Sequence, residues 1–188
     1  MEGNKEKQDR HFPIIAQDNI LRRLFSNSKK FNPYVAEGDS VADLGCGPGY
    51  FTLALAECVG SLGKVYAVDS NEKAIRALEK KVNKHKYSNI EAHASSASEL
   101  SFIEDESIDF VLANGLLCSM APQHHESTVK EIKRILKPQG QAYIAVAKGR
   151  FSYVGESKWE SILEEFRIEQ RGDPKMGDRW AVVFKKKQ

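Results

Sequence analysis

Cysteine is scarce in this chain of 188 residues: only Cys46, Cys58 and Cys118 occur, unevenly spaced and without a C-x-x-C pair. That argues against a disulfide framework or a zinc knuckle, and no metal site is expected. A reducing, cytoplasmic setting fits best. Long apolar runs are missing too. Nothing approaches the ~18 apolar residues of a membrane span, and the opening "MEGNKEKQDRHFPII" lacks the apolar stretch of a secretory leader. Neither sign of charge dominates, since 28 basic and 26 acidic residues leave a formal net charge of +2. No strong field therefore draws the chain to nucleic acid or to an anionic membrane. Repeats and low-complexity segments are also absent. The length suits one domain with a sizeable core.

What the chain does have is alternation. Residues 14–25, "IIAQDNILRRLF", place Ile14, Ile15, Ile20, Leu21, Leu24 and Phe25 on a rough helical stripe. From Val41 on, short apolar runs read as strands: "SVADLG", "KVYAVD", "NIEAHA", "SIDFVLAN" and "QAYIAVA". Between them lie helical patterns, "YFTLALAECV", "NEKAIRALEKKV" and "STVKEIKRIL". In "SKWESILEEF", Trp159, Ile162, Leu163 and Phe166 follow the spacing of an amphipathic helix. "RIEQR" and "RWAVVFK" close the chain as two consecutive strands. Strands separated by helices imply a parallel sheet covered on both faces. The expected fold is α/β: a doubly wound, mostly parallel sheet with an antiparallel C-terminal edge hairpin and an N-terminal helix.

The first strand runs into "DLGCGPG", with Gly45, Gly47 and Gly49 at alternate positions. Such glycines permit positive φ and let backbone approach a ligand. The turn lies beyond the carboxyl end of a strand, where doubly wound sheets bind ligands. A dinucleotide fingerprint, G-x-G-x-x-G, fails because Tyr50 stands at its sixth position. The pattern is instead D-x-G-x-G-x-G from Asp43. An acid there is a poor neighbour for a pyrophosphate and a good one for an ammonium or sulfonium centre. The second strand ends in Asp69, roughly 20 residues on, where a carboxylate can accept from both hydroxyls of a ribose.

"DLGCGPG" followed by "VYAVD" resembles the class I S-adenosylmethionine (SAM)-dependent methyltransferases, and in particular small type-11 or ubiquinone/menaquinone-methyltransferase-like members. The resemblance covers about residues 34–150 well and implies a Rossmann-like domain over 34–188, preceded by a tail and capping helix over 1–33. It places Asp43, Gly45, Cys46, Gly47 and Gly49 at the methionine end of SAM, Asp69 at its ribose and Ser70 beside its adenine. "ESIDFVLANGLL" matches the family's fourth strand, so Asn114, Gly115 and Leu116 are expected to line the pocket floor. Ser96 stands where the family usually has an acid that accepts from the adenine amino group. Ser96, with the neighbouring backbone at Ala97, is the expected substitute.

In the resemblance the reaction is in-line transfer of a methyl group from sulfur to a small-molecule acceptor. Nucleic acid is not the expected acceptor, since "ANGLLCSM" stands where an NPPY-like motif would follow the fourth strand. A non-catalytic SAM-binding partner or sensor is the alternative. Transfer needs a base only where the acceptor has a proton to lose. His124 and His125 are the weak candidates, the other reading being two surface imidazoles at a helix start. Cys46 reads as a small packing residue, and Cys118 lies near the transfer site without the companions of an arsenite-methylating pocket. Acceptor choice falls to residues 12–31, 115–125 and 147–157, which supply Phe12, Phe31, Tyr34, Met120, Phe151 and Tyr153. These suit a small, partly apolar acceptor. A corrin-ring precursor stays open, as does the oligomeric state.

Overall fold

The computed structural model describes residues 7–10, 30–149, 152–175 and 177–186. The expected N-terminal helix over 14–25, with Phe12, and Phe151 in the later loop lie outside them. The strands are β1 (Ser40–Leu44), β2 (Lys64–Asp69), β3 (Ile90–Ala94), β4 (Ile108–Asn114), β5 (Leu136–Val146), β6 (Phe166–Gly172) and β7 (Arg179–Lys185). The helices are α1 (Tyr50–Val59), α2 (Glu72–His85), α3 (Leu116–Ser119), α4 (His125–Ile135) and α5 (Glu156–Leu163).

Among the described residues one seven-stranded sheet has the order β3-β2-β1-β4-β5-β7-β6. The first five strands are mutually parallel, and β7 runs antiparallel to both β5 and β6. The chain builds outward from β1 to β3, then returns to lay β4 on the other side of β1. That reversal opens a crevice at the carboxyl ends of β1 and β4.

Central strands are apolar on both faces because both are covered. Ala42 and Leu44 of β1 join one core with Trp159, Ile162 and Leu163 of α5. Val41 joins the other, with Leu55, Phe110 and Tyr143. α2 shows how local sequence sets an element. Asn71 caps it by accepting from the Lys73 N–H at 3.0 Å. Glu72 sits in the first turn, Lys84 and His85 in the last, matching the helix dipole. Its apolar face buries Ala74, Ile75 and Leu78.

Two elements depart from the sequence expectation. β5 begins at Leu136 rather than after "PQG". Leu136 pairs with Ile108, the ladder breaks, and pairing resumes at Gln141 opposite Phe110. Gly140 makes that return possible: a Cβ there would sit 2.8 Å from the Ile108 carbonyl oxygen. Phe166, expected at the end of the last helix, opens β6 and is buried there.

The loop after β3 is held from below. Arg134 of α4 donates to the carbonyls of Leu100 and Ile103 and to the carboxylates of Asp105 and Glu131. Glu131 in turn accepts from the Leu100 N–H at 2.8 Å. His93 stacks on Phe102 with ring centres 3.8 Å apart. These contacts fix the segment that carries Ser96 and Ala97 to the crevice.

Candidate functional site

The glycine turn is bonded to the end of β2. Gly45 and Cys46 N–H groups both donate to the Val68 carbonyl, at 2.8 and 3.1 Å. Asp69 accepts from the Gly47 N–H through Oδ2 and from the Asn71 N–H through Oδ1, each at 2.8 Å. Two backbone amides thus orient the carboxylate, and each oxygen keeps acceptor capacity for a ligand. Gly45, Gly47 and Gly49 have φ values of 76°, 55° and 86°. Gly49 also lies tight against α2, where a Cβ would meet Leu78 Cδ1 at 2.4 Å. A Cβ on Gly45 would stand 3.2 Å from Leu116 Cδ1, on the wall contributed by α3.

Asp43 is 3% exposed and accepts from Thr52 Oγ1 at 2.6 Å. A buried carboxylate needs its hydrogen bonds. Thr52→Val keeps the shape and deletes this donor. The expected result is a loss of about 2 kcal/mol of stability, read as a Tm lower by several degrees with the fold unchanged. Next to Asp43, burial and the charges of Asp43 and Asp69 push the Cys46 thiol well up. Cys46 stays protonated and packs, so it is not poised as a nucleophile.

A cleft of about 300 Å³ opens over the turn. Its walls bring together Asp43, Gly45 and Cys46 from β1 and the turn, Asp69 and Ser70 from the end of β2, Ser96 and Ala97 after β3, and Asn114, Gly115 and Leu116 after β4. Gly47 and Gly49 shape the turn without lining the cleft. Ser96 Oγ is 2.8 Å from Ser98 Oγ. His124 and His125 do not line the cleft. His125 is fully buried, its Nε2 is 3.1 Å from the Met120 carbonyl, and burial pushes its pKa down.

The residues expected to select the acceptor divide. Met120 lines the cleft. Phe31 is fully buried and packs edge-on against Phe51 and Tyr143, while Tyr34 stacks on Phe110. Both belong to the core below the sheet, because their rings meet the apolar face of β4 and β5. Tyr153 lies behind the wall, under the Arg10 guanidinium at 3.7 Å.

Several lining residues had no local signal. Asp9 and Arg10 arrive on a short strap: Asp9 accepts from the Ala121 N–H at 2.7 Å, and the Arg10 N–H donates to the Ser119 carbonyl at 2.8 Å. Phe51 comes from the first turn of α1, Ala147 from just beyond β5, and Asp178 from the loop before β7. Among the described residues no cluster of metal-ligating side chains occurs, and no helix is long and apolar enough to cross a membrane.

A buried acid at a glycine turn, a second carboxylate oriented by backbone amides and a small polar recess at Ser96 fit the methionine, ribose and adenine parts of SAM in turn. The family described as "Methyltransferase domain" matches residues 36–176. The demethylmenaquinone methyltransferase of Lactobacillus johnsonii is 32% identical over 153 residues, 81% of this chain and 60% of that protein. That of Bacillus velezensis is 37% identical over 107 residues, 57% and 45% of the two chains. This chain thus spans about half the length of these curated relatives. Among solved structures, a SAM-dependent methyltransferase from Aquifex aeolicus superposes with a TM-score of 0.73 at 26% identity, covering 92% of this chain and 98% of its own. The chain belongs to the methyltransferase-domain family, as a class I SAM-dependent methyltransferase with SAM as its cofactor.

Proposed function

We propose that this chain methylates a small, flat, partly apolar ring compound of the quinol class. The observation that carries the reading is the half of the cleft beyond the SAM-facing residues. Phe51, Cys118, Met120 and Ala147 line it with apolar surface, and Asp9, Arg10 and Asp178 add charged groups. An apolar slot with a few polar groups at one edge suits a ring bearing hydroxyls. The relatives named for demethylmenaquinone support the same class. A quinone ring is electron-poor and does not attack an electrophilic methyl group. Its two-electron reduced, dihydroxy form does, so the acceptor is the quinol.

SAM supplies the activated methyl group, and the protein's part is placement. Asp43 and Asp69 fix the two ends of the cofactor's sugar and amino-acid portions. The apolar walls hold the ring within reaction distance and exclude water. A non-catalytic SAM-binding role is not favoured, since the family and its relatives are methyltransferases.

The test is incubation with SAM carrying a labelled methyl group and a dihydroxynaphthalene kept reduced under nitrogen. Label is expected in a naphthalene product one methyl group heavier. Intact SAM binding with no transfer to any member of a quinol panel overturns the acceptor class.

A further inference from the structure

We propose that Asp178 accepts the hydroxyl proton of the acceptor during methyl transfer, an inference that rests on the quinol reading above. The loop between β6 and β7 carries two carboxylates with different surroundings. Asp173 is paired with Lys148 and with Arg179 Nε, the latter at 3.1 Å. Lys148 also donates to the Pro174 carbonyl. These contacts hold Asp173 and Pro174 against the segment that follows β5. Asp178 has no hydrogen bond or ion pair to any described residue, yet it lines the cleft.

The register explains its place. Arg179 pairs with Val146, so Asp178 lies level with Ala147 at the carboxyl end of β5, on the rim of the acceptor half. Gly177, at φ 113°, turns the chain into that position. Asp178 immediately precedes β7, and a carboxylate placed by the end of a strand is held on a rigid element. The other acids of the cleft are engaged: Asp43 accepts from Thr52, Asp69 from two backbone amides and Asp9 from the Ala121 N–H. The charge of Asp178 is felt at Lys30, Cys118 and Tyr143, and Arg10 shares the cleft wall. Cys118 is held protonated by burial, and the Tyr143 phenol, beside Lys30 Nζ at 2.9 Å, is pushed up to about 12. Neither competes with a carboxylate as a base.

The acceptor O–H bond breaks and its proton passes to Asp178. The released electron pair moves into the ring, and the adjacent ring carbon bonds to the methyl carbon. The sulfur–methyl bond breaks with its pair returning to sulfur, giving S-adenosylhomocysteine. The ring then loses the proton from the newly methylated carbon to water, its oxygen takes a proton back from Asp178, and the aromatic diol and the carboxylate are both restored.

Three forms test this: wild type, Asp178→Asn and Asp178→Glu, each assayed with labelled SAM and a dihydroxynaphthalene across pH. Asp178→Asn is expected to bind S-adenosylhomocysteine as the wild type does, by calorimetry. It should lose about 100-fold in kcat, with partial rescue in Asp178→Glu. A second readout needs no turnover. Nitrophenol bound to the S-adenosylhomocysteine complex changes colour on ionisation, and a carboxylate accepting from its hydroxyl favours the neutral form. Its ionisation should therefore occur at lower pH in Asp178→Asn. A wild-type rate in Asp178→Asn overturns the assignment, as does an identical dye titration in the two proteins. Wild-type enzyme that is silent on the diol while the dye titrations differ overturns the quinol reading and leaves Asp178 as the proton acceptor.

Discussion

Asp69→Ala is expected to weaken SAM binding by about 100-fold while leaving the circular dichroism spectrum unchanged. Hydrogen bonds to a charged group contribute about 1.5–3 kcal/mol each. Two ribose hydroxyls on one carboxylate therefore account for at least about 3 kcal/mol, or two decades of affinity. The same substitution removes the acceptor of the Gly47 and Asn71 N–H groups, which hold the glycine turn beside the start of α2. The turn also loses its tie to the ribose site, which adds to the deficit. Asp69→Asn separates the contributions, since it retains one acceptor and loses the charge. Calorimetry with S-adenosylhomocysteine reads all three proteins. An affinity within threefold of wild type in Asp69→Ala would show that Asp69 does not hold the ribose.

The largest effect on stability is expected from Gly49→Ala. Gly49 is the left-handed N-cap of α1, with φ 86° and ψ 30°. A side chain in that region costs about 1–2 kcal/mol. The new Cβ also lands 2.4 Å from Leu78 Cδ1, and Leu78 is fully buried and cannot swing aside into water. Overpacking of this kind costs about 1–3 kcal/mol. A combined loss of about 3 kcal/mol lowers Tm by roughly 10 °C in a domain of this size. Gly115→Ala is the control, with a similar φ of 81° and open space where the Cβ would stand. It shares the backbone cost without the clash, so its Tm should fall only about half as far. Equal shifts in the two variants would mean that Leu78 relaxes freely.

The strand and helix order is readable from the chain because each element declares itself locally. β1, β2 and β4 are apolar on both faces, and α2 and α4 each carry a polar and an apolar face. The final hairpin is readable too, since nothing helical separates "RIEQR" from "RWAVVFK". The limits appear where two segments meet. The early start of β5 depends on Gly140 passing the Ile108 carbonyl, a contact between distant residues. Phe166 fits the helical spacing, yet its partner across β7 decides its strand state. In the cleft, Asp43, Gly45 and Asp69 follow from a motif of fixed spacing. Asp9, Arg10, Ala147 and Asp178 are brought in by the strap and the β5–β7 register, which no local pattern encodes. Phe31 and Tyr34 show the converse error: aromatic residues near a site in sequence belong to the core when their rings meet the apolar face of the sheet.

The position of β7 has a consequence for synthesis. It follows every other strand in chain order, yet it sits inside the sheet, between β5 and β6. Until β7 leaves the ribosome, β5 is an open edge that carries Ala142, Ile144 and Val146 and has unpaired backbone along its length. Open apolar edges recruit other strands. Among the described residues β6 has no strand neighbour other than β7, so it too waits unpaired. That apolar edge therefore stays open while the SAM turn and the first four strands can already have paired. A chaperone that shields β5 during that interval would raise the yield of soluble protein more than one acting on the N-terminal half.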